Sequence, residues 1–351
     1  MLRVKSVDEG AASRAAQLLS GPRGREVCAR VALARTGDLN LPQDQTQVAT
    51  FIGRLGVVDS AALTALGDRL ALVAPLARSV DSAMYWQEPH EENQILDDPL
   101  VVSALEPVAR ALALAPAAHW WWSPADLDQQ AITRWMDKGQ AVRPEFTGAR
   151  ERLERWRSAT IAEEERAAKD RPAAFDANYS GSWWSTPVLA NIITTSRRID
   201  GLPAAQLELV EDSLGWTRAR VAAVRVRPDR RVFEITGPAD WVELVERYPL
   251  DVDRSRRHDW RRATGGTGPW QIPDWSAVSQ DYDGVHLTVI GYLGSAGRAL
   301  PTQGGQTVLA GFDPDLTYWL TDSIIETTAP NTWQMRGGDD LGHQWVRGTS
   351  P

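Results

Sequence analysis

Residues 281–293, DYDGVHLTVIGYL, carry the clearest strand pattern in this chain and decide the fold class of its second half. Asp-Tyr-Asp-Gly is a turn signal, and a strand is predicted after it, at about 285–292. Apolar residues occupy one parity of that strand: Val285, Leu287 and Val289. Because side chains alternate between the two faces of a strand, His286, Thr288 and Tyr292 are predicted to share the other face, which we expect to line a cleft.

The histidine of this stretch is the first candidate for chemistry. Asp281 and Asp283 lie just before it, and a carboxylate near an imidazole orients the ring and raises its basicity. We therefore predict that His286 acts as a hydrogen-bond donor or a base, with Asp281 or Asp283 as its orienting partner. The alternative is local: Asp283 and Gly284 are a common turn pair, and His286 is then a hydrogen-bonded core residue.

Arginines are the second candidate, because the guanidinium fork fits phosphate bidentately. Seven of them lie in TTSRRID (194–200) and RSRRHDWRR (254–262). The predicted ligand-binding residues supply cations, a hydroxyl and rings: Arg197, Arg198, Arg256, Arg257, Thr195, Tyr292 and Trp260. The alternative is a solvated loop whose arginines pair with Asp251, Asp253 and Asp259.

The third candidate is the pair Asp313 and Asp315, which is followed by Tyr318 and Trp319, with Glu326 further along. In a hairpin turn, two acids are ordinary. In a cleft, one of them stabilises a cationic glycosyl transition state, as paired carboxylates do in sugar transfer.

Composition excludes several classes of protein. The net charge of −8 over 351 residues argues against bulk binding to nucleic acid or acidic membranes. No apolar run approaches the about 20 residues of a membrane span, and the N-terminal stretch lacks the apolar core of a signal peptide. The one cysteine, Cys28, is predicted to be a buried structural thiol, which suits a cytoplasmic protein. Five scattered histidines favour no metal site, and no motif names a cofactor.

The predicted fold class is α+β, with a mostly α-helical N-terminal half and an antiparallel, β-rich α+β C-terminal half. Helices are predicted at 11–35 with a Gly-Pro-Arg-Gly break, at 60–73, at 99–114 and at 148–168. Hairpins are predicted at 219–235 and 307–321, and a basic loop at 251–275. We expect a helical domain at 1–170, a connector at 171–187 and a Trp-rich domain with a ligand site at 188–351.

Two function classes remain open on the sequence. The first is an enzyme of the glycosyl- or ADP-ribosyl-transfer type, in which Arg holds phosphate, a ring stacks a base and a carboxylate stabilises an oxocarbenium ion. The second is a non-catalytic interaction or assembly protein that uses a Trp- and Arg-rich surface, since these residues are enriched at interface hot spots. The partner is thus a phosphate-bearing small molecule or a protein, and the oligomeric state is not specified. The 16 Trp residues suit stacking surfaces, but they equally suit a core sealed under long loops.

Overall fold

The computed structural model describes residues 7–37, 40–137, 140–141, 146–213, 215–326, 328–337 and 343–348, and it gives the predicted α+β fold. Helices dominate the N-terminal part: α1 (Val7–Ser20), α2 (Pro22–Thr36), α3 (Val48–Leu55), α4 (Ser60–Thr64), α5 (Val73–Asp81), α6 (Glu91–Ile95) and α7 (Pro99–Leu114). The break after α1 requires glycine, because a Cβ at Gly21 would lie 2.3 Å from the carbonyl oxygen of Leu293. Cys28 on α2 is fully buried, as predicted, and burial raises the pKa of its thiol to about 12.

Local capping explains where these helices begin. The carboxylate of Asp98 accepts from the N–H of Leu100, and Pro99 occupies the first turn of α7, so this helix is confirmed. The helix predicted at 60–73 is wrong in its extent. It begins after Asp59, whose carboxylate accepts from two N–H groups, and it ends at Thr64. Asp68 then caps a separate turn by accepting from the N–H of Leu70.

Five further helices follow α7: α8 (Ala149–Asp170), α9 (Pro238–Arg247), α10 (Asp253–Thr264), α11 (Trp275–Asp281) and α12 (Val289–Ser295). The long charged helix predicted at 148–168 is α8. The basic loop predicted at 251–275 is wrong, because most of its charged run forms α10. Four of the charged residues of α10 are buried against the connector: Arg256, Arg257, His258 and Asp259.

The strands lie almost entirely after α8: β1 (Gln130–Asp137), β2 (Gln140–Ala141), β3 (Thr194–Arg197), β4 (Arg218–Val226), β5 (Val232–Ile235), β6 (Pro249–Asp251), β7 (Gln271–Pro273), β8 (Gly284–Leu287), β9 (Leu300–Thr302), β10 (Gly305–Thr307), β11 (Leu316–Trp319), β12 (Ile324–Glu326), β13 (Asn331–Arg336) and β14 (Gln344–Arg347). The main sheet has the order β14-β13-β4-β1-β3-β11-β8-β5, with β12 on β4 and β2 on β1. Strands β5 and β8 are parallel, and the other pairs are antiparallel. The predicted antiparallel character therefore holds for most of the sheet.

Both predicted hairpins are wrong. Strand β4 pairs with β1, β12 and β13, whereas β5 pairs with β8 alone. After the turn at Pro228, strand β5 runs beside β8 instead of returning along β4. The N–H of Arg231, just before β5, donates to the carboxylate of Asp283, just before β8. Thr307 ends β10, which pairs with β9, while β11 lies between β3 and β8.

The strand predicted at 285–292 ends at Leu287. Thr288 caps α12 instead, by accepting from the N–H of Gly291 through its hydroxyl. Glycine is required at 291, because a Cβ there would lie 2.2 Å from the carbonyl oxygen of Ile235. The shared face predicted for Thr288 and Tyr292 therefore does not exist, since Tyr292 lies on a helix.

The core continues across the predicted domain boundary. Strand β1, from the predicted helical domain, lies between β4 and β3 of the C-terminal part. One hydrophobic cluster includes residues from Ala15 to Trp345 and covers one face of the sheet. A smaller cluster covers the other face: Ile132, Ile193, Ala222, Val224, Trp319 and Ile324. The connector at 171–187 has no helix or strand, but the division into two folding units stays a prediction.

Within the described ranges, no single helix is long and apolar enough to cross a membrane. Only α7 and the 3-10 helix Pro116–Trp122 reach that length and hydropathy together, and they are bent by 88° with respect to each other.

Candidate functional site

His286 belongs to a buried network of charged groups. It lies opposite Glu234 in the parallel pair of β8 and β5, and its Nδ1 atom is 2.5 Å from a carboxylate oxygen of Glu234. Its Nε2 atom is 3.4 Å from Asp315, which in turn accepts from Nε of Arg197 at 2.6 Å. Burial alone would lower the pKa of His286, but hydrogen bonds to Asp315 and Glu234 and their negative charges raise it. The cationic form of the ring is therefore favoured more than in a free histidine.

This network binds the segment 120–125, which precedes β1, to the sheet. The guanidinium of Arg197 donates to the carbonyl oxygen of Pro124 at 3.0 Å and lies over the ring of Trp120. The carboxylate of Glu234 accepts from the N–H of Ala125. His286 is 1% exposed and lines neither of the two cavities described below, so the geometry favours a core histidine.

The orienting partners predicted for His286 are corrected. Asp281 accepts from the hydroxyl of Tyr248 and pairs with Arg247. Asp283 pairs with Arg230 and accepts from Thr321. The carboxylates that contact the ring are those of Glu234 and Asp315, which come from other strands or their ends.

Most of the predicted ligand-binding residues are engaged elsewhere in the fold. Thr195 is buried and donates to Gln130. Tyr292 is buried, with its hydroxyl near the carbonyl oxygen of Val80 and hydrogen-bonded to Glu211. Arg198 is exposed and donates to Gln129. None of the three residues lines the cavities below, although Tyr292 contacts Glu211, which lines one of them.

The basic run of α10 holds the connector in place. Arg257 donates to the carbonyl oxygen of Pro172 at 2.6 Å, and Trp260 donates to that of Trp183 at 2.6 Å. Asp259 accepts from the N–H of Gly181 at 2.8 Å. Arg257 and Trp260 therefore position connector backbone. Of the predicted arginines, Arg256 alone lines one of the two cavities described here.

The first of these is an aromatic chamber of about 420 Å³. Its wall contains five rings and three acids: Trp135, Trp183, Trp184, Trp216, Tyr318, Glu211, Asp212 and Asp313. The sheet supplies one side, because Thr194 on β3 and Tyr318 on β11 are paired in register and face it. Ligand cavities of this size with aromatic walls and few polar groups are typical small-molecule sites.

The tryptophan rings of the chamber are held by other rings. Trp135 stacks on Trp216 with centroids 5.0 Å apart and an angle of 17°. Trp183 stacks on the buried Tyr85 at 5.6 Å and 12°, and it meets Trp184 edge to face at 5.7 Å. These four tryptophans are partly exposed, whereas six others are fully buried: Trp121, Trp241, Trp260, Trp270, Trp275 and Trp319. The core explanation therefore holds for those six, whereas the stacking of a ligand on the four chamber tryptophans stays a prediction.

Two of the three chamber acids, Glu211 and Asp313, are linked through their loops. The N–H of Glu211 donates to Asp313 at 2.9 Å, and the carboxylate of Glu211 accepts from the N–H of Gly311 at 2.6 Å. Gly311 has φ 72° and a Cβ there would lie 2.9 Å from that of Trp184, so this position requires glycine. The hydroxyl of Tyr85, which does not line the chamber, donates to the carboxylate of Glu211 at 2.6 Å.

These surroundings separate the protonation states of the two carboxyl groups. Burial raises the pKa of Glu211 to about 8, against the lowering effect of its hydrogen bonds. Burial also raises the pKa of Asp313 to about 6, although Asp313 is the more exposed of the two. Asp313 is therefore the stronger acid of the two, and such a difference between neighbouring carboxyl groups is the pattern that acid–base pairs show.

The second cavity is an arginine groove of about 810 Å³ along α8. Its charged lining residues are five arginines and two acids: Arg152, Arg155, Arg166, Arg171, Arg256, Glu163 and Asp170. Arg256 is 2% exposed and donates to Glu163 and to the carbonyl oxygen of Trp184, both at 3.2 Å. Arg171 also pairs with Glu163, so two of the five cations are fixed by one carboxylate.

The chamber and the groove share a wall formed by Trp184, Leu189 and Asn191. Asn191 has φ 51°, a conformation that a few residue types tolerate. Leu189 is 73% exposed and Val188 is 49% exposed, so the rim of this wall is apolar. A ligand that extends from one cavity into the other passes Trp184.

Sequence reasoning weighed Asp313 and Tyr318 and selected Arg256, but it missed Glu211, the chamber tryptophans and the arginines of α8. The available signals were the Trp-Trp pair at 183–184 in a polar connector and the arginines at helical spacing on α8. Neither signal indicates that the two segments meet.

Within the part of the chain that the structure describes, no group of three or more His, Cys, Asp or Glu side chains is arranged to hold a metal ion. Comparisons with protein-family models, curated proteins and solved structures found no match to this chain.

Proposed function

We propose that this chain is an enzyme of the glycosyl-transfer type, which cleaves the N-glycosidic bond of a phosphate-bearing nucleotide and includes ADP-ribosyl transfer among its possible outcomes. The observation that carries the proposal is the pair of chamber acids, Asp313 and Glu211, with pKa values of about 6 and about 8 inside one aromatic-walled cavity. Glycosyl transfer commonly uses one ionised and one protonated carboxyl group at the same site.

The chamber supplies each part that this reaction needs. The departing base stacks on the faces of Trp183 and Trp216, since aromatic stacking is tolerant of base identity. As the bond between the sugar carbon and the ring nitrogen breaks, its electron pair leaves with the base. The carboxylate of Asp313 stabilises the positive charge that develops on the sugar. Glu211 donates a proton to a base such as adenine, which would otherwise leave as an anion, whereas nicotinamide leaves as a neutral ring and takes no proton. Water or an acceptor nucleophile then forms the new bond to the sugar carbon and releases a proton.

The arginine groove supports the phosphate-bearing character of the substrate. Arg256 is a predicted ligand-binding residue, and it lies at the wall that the groove shares with the chamber through Trp184. Guanidinium groups recognise phosphate by paired hydrogen bonds, which suits a nucleotide and disfavours a neutral glycoside.

The test is release of free base, followed by liquid chromatography, from adenosine, AMP, ADP and NAD⁺. We expect release from a nucleotide and a loss of about 100-fold or more in Asp313→Asn, because removal of one transition-state charge stabiliser costs at least that much. Asp200→Asn is the matched control, since Asp200 is exposed and outside both cavities. Absence of release from every substrate, or equal rates in Asp313→Asn and wild type, would reject the proposal.

The second candidate function is a non-catalytic protein-interaction surface, favoured by the exposed side chains of Val188 and Leu189 on the rim. In that case Leu189→Ser weakens a protein contact while nucleotides leave the tryptophan fluorescence unchanged. For either function we infer a cytoplasmic location, because the one cysteine cannot form a disulfide within the chain.

A further inference from the structure

The arginine groove follows one long face of α8. Its lining residues on this helix recur three or four positions apart: Arg152, Arg155, Ala159, Glu163, Arg166 and Asp170. A helix rises 1.5 Å per residue, so the distance along the axis from Arg152 to Asp170 is about 27 Å. A groove of this length suits an extended ligand of several linked groups better than a compact one.

The groove carries an excess of positive charge. Five arginines line it against two acids, so its lining has a net charge of +3 when all groups are ionised. Arg155 and Arg166 are exposed, and no described residue forms an ion pair with either of them. A ligand with two negative charges therefore matches Arg155 and Arg166, whereas a neutral ligand leaves these two cations uncompensated.

The positive groove and the aromatic chamber meet at one place. Trp184 lines both cavities, and its carbonyl oxygen accepts from the buried guanidinium of Arg256. A ligand base stacked in the chamber and a ligand phosphate beside Arg256 would therefore lie on the two sides of Trp184. This arrangement orders the ligand: the cleavable base first, then the sugar, then the phosphates.

We infer that the ligand is a nucleoside diphosphate derivative of the dinucleotide class, whose cleavable base occupies the chamber and whose two phosphates lie along the groove. The inference rests on the proposed function only for the cleavage of the base. The second nucleoside extends along α8 toward Tyr179, a ring that also lines the groove beneath the guanidinium of Arg171. A single-stranded nucleic acid is less well matched, because the chain as a whole carries a net charge of −8.

Binding is measured by calorimetry and by tryptophan fluorescence, with adenosine, AMP, ADP and NAD⁺ as probes. NAD⁺ and ADP are expected to bind at least about tenfold more tightly than adenosine, because charge-assisted bonds to the second phosphate add affinity. This advantage decreases as salt rises. Equal affinity for adenosine and the diphosphates overturns the inference, and so does tighter binding of a single-stranded oligonucleotide than of NAD⁺.

The arginines are tested by the double variant Arg155→Gln/Arg166→Gln, which removes two exposed charges without disturbing a buried contact. It is expected to remove most of the advantage of NAD⁺ over adenosine and to leave adenosine binding unchanged. The matched control is Arg35→Gln/Arg225→Gln, which removes two exposed arginines that lie outside both cavities. An unchanged preference for NAD⁺ in the groove variant overturns the inference.

Failure of the inference and failure of the proposed function give different results. Asp313→Asn is expected to keep the affinity for NAD⁺ and to lose base release. Phosphate-dependent binding without base release in the wild type supports the ligand class and rejects the enzyme. Base release without any dependence on phosphate supports the enzyme and rejects the ligand class.

Discussion

His286 and Glu234 occupy directly opposite positions on the parallel strands β8 and β5, with Nδ1 and a carboxylate oxygen 2.5 Å apart. On its other side, the imidazole lies 3.4 Å from Asp315, which also holds Arg197. With His286 protonated, the four groups carry two positive and two negative charges, so the network is neutral. A buried network of this kind is stable only while every member is paired.

Replacement of His286 by Gln is therefore expected to cost about 3 kcal/mol in the free energy of unfolding at pH 6, because two carboxylates lose their shared cation. This is a larger loss than a histidine in an open cleft would produce. The measurement is the urea midpoint of His286→Gln against wild type. His119→Gln is the control, since His119 is exposed. A loss below about 1 kcal/mol, the usual range for surface changes, would restore the cleft explanation.

The same network predicts a pH dependence of stability. The pKa of His286 is raised in the folded state, so folding favours the protonated ring. The resulting stabilisation is complete below the unfolded pKa of about 6.5 and is lost as pH rises through the raised folded pKa. The difference in unfolding free energy between wild type and His286→Gln should therefore shrink from pH 6 to pH 9. A difference that stays constant over this range contradicts the cationic assignment.

The chamber acids predict a bell-shaped dependence on pH for the release of adenine from AMP or ADP, because adenine must be protonated as it leaves. Activity should fall below about pH 6, where Asp313 takes up a proton, and above about pH 8, where Glu211 loses one. The profile of kcat/KM from pH 4.5 to 9.5 measures both limbs. In Glu211→Gln the alkaline limb should disappear along with most of the rate. A profile that is flat from pH 5 to pH 9 is incompatible with these roles.

Short-range patterns were sufficient for capped helices such as α7, but they were insufficient for α10 and for the sheet. The cap at Asp98 and the apolar spacing of α7 are local, so the sequence predicts that helix correctly. Strand β4 instead lies between β1 and β13, which are far from it in the chain. Hairpin patterns around Pro228 cannot encode such pairing, since they report only on neighbouring residues.

The candidate site could not be predicted from the sequence for the same reason, because its residues are brought together by long-range strand pairing. Trp135, Trp216 and Tyr318 lie on or beside three different strands, and Glu211 belongs to a loop with no motif of its own. Composition indicated many tryptophans but not which of them face a cavity. Asp313 was easier to predict than Glu211, because it lies in a short acidic turn that the sequence marks as a candidate.

The chamber walls make a prediction about affinity. Trp216→Leu removes a ring that stacks on Trp135 and faces the chamber. Since stacking of a base on an aromatic ring contributes about 1–3 kcal/mol, binding of NAD⁺ should weaken by about tenfold or more. The measurement is calorimetric titration. Trp122→Leu is the control, because Trp122 is partly buried and outside the chamber. Equal weakening in both variants would indicate a general loss of packing.

The connector makes a prediction about local opening. We expect limited proteolysis to cut first within residues 171–187, and Arg257→Ala to accelerate that cut several-fold, because Arg257 holds the carbonyl oxygen of Pro172. Arg261→Ala on the same helix is the control. Electrophoresis with mass spectrometry locates the cuts. First cuts at 285–325 would show that the connector is not the weakest segment.

Asp313 and Asp315 are two residues apart, but the substitution by Asn should have different effects at the two positions. At Asp315 it should reduce stability, and at Asp313 it should reduce base release. Asp315 has φ 59°, a conformation that Asn also tolerates, so Asp315→Asn changes the charge without adding backbone strain. Its carboxylate is buried and accepts from both Nε and the backbone N–H of Arg197, so the variant leaves a buried cation unpaired. We expect a loss of about 3–5 kcal/mol in unfolding free energy.

Asp313 differs because its carboxylate faces the chamber and its pKa is already raised to about 6, so a neutral side chain fits its surroundings. Asp313→Asn should change the unfolding free energy by less than about 1 kcal/mol and reduce base release by about 100-fold. Urea denaturation and the chromatographic assay on the same two preparations separate the roles. If Asp313→Asn lost as much stability as Asp315→Asn, both acids would be structural, and the chamber would lose the anion on which the proposed reaction depends.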